Sequence, residues 1–65
     1  MDNTTRLILM LDREFDKTIE SIAKKQQLMD MSFSYRDKAE YAAQAAELEA
    51  YAETLLNIAL QILEA

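Results

Sequence analysis

An all-α, two-helix antiparallel hairpin with coiled-coil-like packing is the fold class this chain predicts. Three observations predict it. Ile8, Phe15, Ile22 and Met29 recur every seventh residue in the first half, and Tyr41, Leu48, Leu55 and Ile62 do so in the second; side chains at that spacing share one face of a helix. The two stripes are out of phase, because stepping by sevens from Ile8 through Met29 lands on Arg36 and Ala43 rather than on Tyr41. One continuous helix pairing along a single seam would need one register, so the chain is expected to fold back near residues 30–34.

The first helix is expected over about residues 4–29. Asp2, Asn3, Thr4 and Thr5 form a polar cluster suited to an N-cap, with Asn3 or Thr4 as the capping residue. Glu20 and Lys24 stand four apart in the favourable order. Lys24 and Lys25 fall near the C-terminal end, where cations complement the helix dipole. Between the helices, Met29 to Ser34 replaces the heptad with alternating apolar and short polar residues. Ser34 and Asp37 have the spacing of a capping box. A second helix over about 35–64 follows, with alanine at positions 39, 42, 43, 45, 46, 50, 52 and 59; alanine has the highest intrinsic helix propensity.

The eight stripe residues, Ile8, Phe15, Ile22, Met29, Tyr41, Leu48, Leu55 and Ile62, make the expected internal seam. Ala45, Ala52 and Ala59 flank the second stripe, where small side chains admit close helix approach, either to the first helix or to a partner. Further apolar residues lie outside the seam. Tyr51 and Ile58 occupy one flank of the second helix, and Leu56, Leu60 and Leu63 the other, leaving Asn57, Gln61 and Glu64 as a narrow polar strip. Leu9 and Met10 are the corresponding surplus on the first helix. In a hairpin these residues meet at the end away from the turn, so Leu9, Met10, Tyr51, Leu56, Leu60 and Leu63 are the expected partner interface.

Size sharpens that expectation. A chain near this length buries only about 60% of the surface its unfolded form exposes, and such chains commonly borrow disulfides, metals or subunits. With 65 residues, no cysteine and no histidine, the hairpin is expected to be completed by a partner protein or by dimerisation. Missing histidine, cysteine and glycine also remove the common general base, the thiol nucleophile, the usual metal ligands and any glycine-rich phosphate cradle. Glu47 and Glu49 point apart on a helix, and Glu49 and Glu53 form an exposed pair. The expectation is therefore a non-enzyme with no cofactor and no metal.

The net charge is −5, and no basic residue follows Lys38, whereas Glu40, Glu47, Glu49, Glu53 and Glu64 do. Nucleic acid is a poor match for such a surface. No apolar run exceeds Leu7 to Leu11, far below the roughly 20 residues a bilayer span requires. A soluble, cytoplasmic protein with no signal peptide and no membrane association is expected.

Several features together resemble the YscE-like family of small co-chaperones for the needle subunit of type III secretion systems, across almost the whole chain. They are a first helix opening near the N-terminus, the late pair Lys24-Lys25, a short methionine-containing connection, the step Asp37-Lys38-Ala39-Glu40-Tyr41, the middle Glu47-Leu48-Glu49-Ala50 and the aliphatic end Leu55 to Leu63. The connection lacks the glycine that some such proteins carry. The resemblance implies a cytosolic partner, a larger helical-repeat chaperone that grips the needle subunit before export and that the small component stabilises. A different function class remains open from the residues alone. Two hairpins could pair into a four-helix bundle, resembling the plasmid copy-control hairpin Rop, as a self-associating regulator, or one hairpin could act as a phage- or plasmid-type adaptor on a host protein.

Overall fold

The computed structural model describes residues 2–64, and the fold is the two-helix hairpin: α1 spans Asn3–Met31 and α2 spans Tyr35–Glu64. Among the described residues no helix is long and apolar enough to cross a membrane. The Cα envelope measures 49 × 17 × 10 Å. The 17 Å width holds two helices side by side, and a second layer stacked 8–10 Å away would exceed the remaining 10 Å, so the molecule is one helix layer thick.

α1 begins one or two residues before the expected start. Its N-cap is Asp2, not Asn3 or Thr4, with the Thr5 N–H donating to the Asp2 carboxylate at 2.7 Å. The same bond holds the Asp2 carboxyl below the usual aspartate range. Aspartate, asparagine and threonine all make good caps, so the local cluster could not rank them.

At its other end α1 runs two residues past the expected stop, to Met31, which shortens the turn to residues 32–34. Ser32 ends the helix with an extended backbone, φ −81° and ψ 141°, while its N–H donates to Met29 O and its hydroxyl to Leu28 O. No described residue has positive φ. A left-handed C-cap is where glycine is usually required; this exit uses an extended residue instead, which accounts for a turn built without one. α2 then opens at Ser34, whose carbonyl accepts from Lys38 N–H at 3.0 Å and whose Oγ accepts from Asp37 N–H at 3.5 Å. The serine's half of the capping box forms, with a long bond.

Packing follows a strict heptad on both helices. The more buried positions of α1 include Ile8, Leu11, Phe15, Thr18, Ile22, Lys25 and Met29, and those of α2 include Tyr41, Ala45, Leu48, Ala52, Leu55, Ala59 and Ile62. Both sets alternate steps of three and four, the signature of a coiled-coil seam. Two contacts set the antiparallel register: Lys25 Nζ lies 5.9 Å from the Tyr41 ring centroid, and Lys38 Nζ donates to Met29 O at 2.8 Å. Each step of seven up α1 is matched by seven down α2. Ile22, Phe15 and Ile8 therefore face Ala45, Ala52 and Ala59, while Thr18 and Leu11 face Leu48 and Leu55. Large side chains oppose small ones in most layers, which lets them interdigitate.

The alanine stripe is thus part of the internal seam, with Ala45 and Ala52 buried. Thr18, at 5% exposure the most buried side chain described, stays satisfied because its hydroxyl donates to Glu14 O at 2.8 Å. Lys24 and Lys25 do not reach the final turn of α1, which holds no basic residue. The cation at that terminus comes from the other helix, as Lys38, and it gives a second hydrogen bond to the Met29 carbonyl that also accepts from Ser32 N–H.

Candidate functional site

Every side chain expected at the partner interface is exposed. Leu9, Tyr51 and Leu60 retain nearly half of their accessible surface, Leu56 51%, Met10 66% and Leu63 68%. Leu7 and Ile58 join them at the same end. No large side chain among the described residues is fully buried. The hairpin therefore places much of its apolar carbon outside its own core.

The register divides these residues between two faces. Tyr51 sits on the flank where its hydroxyl donates to the Glu14 carboxylate at 3.5 Å, bridging the helices; the same heptad flank carries Leu7 and Ile58. Leu56 and Leu63 lie on the opposite flank, and Leu60 and Leu9 extend it outward. A groove of about 220 Å³ opens on that second face, lined by Ile8, Leu11, Asp12, Phe15, Leu55, Leu56 and Ala59. Seam residues form its floor, and Asp12 and Leu56 form its rim. Met10 shares the heptad position of Lys17 and Lys24, on the outer side of the Tyr51 flank. It sits with Arg6, Leu9 and Arg13 in a shallow depression on the outer side of α1.

The groove exists because of what fills the seam there. Where Phe15 meets Ala52 and Ile8 meets Ala59, the alanines bring little volume, and the larger Leu55 and Leu56 leave a trough beside them. A cavity lined by apolar atoms and open on one side is suited to receiving an apolar side chain from outside. Among the described residues no group of three or more His, Cys, Asp or Glu side chains could hold a metal ion.

The turn carries a second set of exposed apolar residues that periodicity did not single out: Met31, Phe33 and Tyr35, the last two almost wholly exposed. Their alternation with Ser32 and Ser34 in the sequence was the available signal. No protein-family model, no curated protein and no solved structure matches this chain.

Proposed function

We propose that this protein is a non-enzymatic interaction module that lends the uncovered open end of its hairpin to a larger protein, in the manner of a co-chaperone. The carrying observation is the exposure of Leu9, Leu56, Leu60 and Leu63 around one end of a molecule only one helix layer thick. Domains ordinarily pack two layers around a core; this chain supplies one.

The accessible surface supports the same reading. It totals 5271 Å² for 7.5 kDa, whereas a compact monomer of that mass exposes about 4,200 Å². The excess, about 1,000 Å², is of the order that one partner buries in a standard interface, about 800 Å². The resemblance to YscE-like proteins supports a specific partner, the helical-repeat chaperone of a type III secretion needle subunit, and a bacterial cytosolic setting. The role needs an apolar face and no catalysis.

Co-expression with such a chaperone tests the proposal. A stoichiometric complex is expected by size exclusion and native mass, together with a higher melting temperature for the chaperone. Replacing Leu56, Leu60 and Leu63 with serine should abolish the complex while the hairpin stays helical by circular dichroism. A stable homodimer that ignores the chaperone would instead assign the open end to self-association.

A further inference from the structure

The two faces of the hairpin differ in charge as well as shape, and the difference specifies what can cover one of them. Resting on the interaction-module reading above, we propose that the grooved face, carrying Leu56, Leu60 and Leu63, docks one amphipathic helix of a different protein, with lysine or arginine flanking that helix's apolar stripe.

The heptad places Asp12 and Asp16 of α1 and Glu49 and Glu53 of α2 on this face, and all four are exposed. None of the chain's seven lysines and arginines occupies those heptad positions, although Arg6 and Arg13 border the face beside Leu9 on the outer side of α1. Lys25 and Lys38 are in the seam, and Arg6, Arg13, Lys17, Lys24 and Arg36 fall at outer positions or on the Tyr51 side of the heptad. The Tyr51 face, by contrast, mixes Lys17 and Lys24 with Glu14 and Glu47.

A face whose charges beside the groove and the leucine row are all carboxylates is a poor match for a copy of itself. A two-fold axis through it presents the same patch from both sides. Antiparallel α2 helices centred near Tyr51 would then set Glu49 of one copy opposite Glu53 of the other, and like charges brought together at an interface cost affinity. A partner with cations beside its apolar stripe turns the same four carboxylates into attractive rim contacts. The exposed area accommodates this occupant, since the surplus surface estimated above matches one side of a standard interface. The floor is also shaped for it: Ala39, Ala42 and Ala46 continue the leucine row toward the turn, and small residues allow a helix to approach closely. An apolar anchor entering the groove between Phe15 and Leu56 would bring a flanking cation beside Asp12, at the groove rim.

The test uses two synthetic helical peptides of about three heptads, identical in their leucine stripe and flanked by lysine in one and glutamate in the other. The lysine-flanked peptide should bind the intact chain, and its amide shift changes should concentrate at Leu56, Leu60 and Leu63. E49Q/E53Q should weaken that binding about tenfold, while E40Q/E47Q, an equal change of net charge away from this face, should change it less than about twofold. All four glutamates are exposed, and circular dichroism verifies that each variant keeps its helices. Equal losses from the two pairs, or shift changes centred on Tyr51, would overturn the proposal. Binding of the glutamate-flanked peptide alone, or homodimerisation lost on Leu60→Ser, would overturn it while leaving an apolar interaction module standing. Binding by neither peptide, from a chain that is also monomeric, would remove both.

Discussion

Around the turn, polar groups close the contact between the helices. Lys38 reaches across to the Met29 carbonyl near the end of α1, Lys25 lies over the Tyr41 ring, and Ser32 and Ser34 satisfy the backbone on either side of the reversal. Toward the open end the interhelical hydrogen bond is the long Tyr51–Glu14 contact, on the flank away from the groove. Ile8, Leu11, Leu55 and Ala59 meet through carbon alone, a groove remains between them, and leucines stand outside it. Hydrogen bonds and capping contacts are directional and close upon themselves, whereas apolar contact is non-directional and extends to any further apolar surface. The helices are thus joined at the turn by directional polar contacts, whereas at the open end apolar side chains stand uncovered around a groove.

Substitutions at the two ends test that contrast, and the largest effect is expected at Leu55. This side chain is buried, at 6% exposure, on the floor of the groove. Leu55→Ala should cost about 2–5 kcal/mol, a large part of the few kcal/mol that a chain of this length commands. Thermal melts followed by circular dichroism should show a much lower midpoint or a largely unfolded chain. Met29→Ala at the turn end, where the side chain is only half-buried, should cost distinctly less. Equal losses would break the comparison.

A smaller effect is expected from Lys38→Met, which keeps the aliphatic stem and removes the ammonium from Met29 O. Water can replace part of that bond because Lys38 is only half-buried, so the loss should be about 1 kcal/mol. Hydrogen exchange should quicken in the last turn of α1 and the first of α2 and remain unchanged near Leu55. Faster exchange along the whole hairpin would show that the turn end supports the open end.

The smallest effect belongs to the Asp2 cap. Its carboxyl is held below the usual aspartate range by the Thr5 N–H, so the ionised form is the one favoured by folding. Its contribution is complete above the unfolded-state value and is lost as pH falls through the lower folded value. Acidification, or Asp2→Ala, should fray the first turn of α1 and leave the global midpoint nearly unchanged. The Thr5 amide shift across an acid titration reads this directly.

Both helices, the reversal between them and one stripe on each were legible in the amino-acid order, because seven-residue recurrence of large apolar side chains is a local signal. The second stripe of α1 was not. Leu11, Thr18 and Lys25 follow the same three-and-four spacing, yet a threonine and a lysine in those places read as surface until the opposite residues are known. Thr18 can be buried because Glu14 O takes its hydroxyl proton and Leu48 supplies volume across the seam. Lys25 can lie there because Tyr41 offers an aromatic face. The exposure of Leu9, Met10, Tyr51, Leu56, Leu60 and Leu63 agrees with a surplus read from the helical period, and the split of the α2 residues between two flanks was legible too, but the residues of α1 that share each flank were not.

By itself the sequence determined the helices, their phase break, the lack of histidine, cysteine and glycine residues, and an apolar surplus toward one end. Those properties depend on residue type and on spacing within a helix. Only the tertiary structure decided the register, and with it that the alanines of α2 face the bulky stripe of α1, that Tyr51 reaches Glu14 while Leu56 borders the groove, and that carboxylates of both helices share a face with three leucines. Register is a relation between two helices. It follows from how large and small side chains interdigitate across the seam and from where Lys38 finds a carbonyl, neither of which is a property of either helix alone.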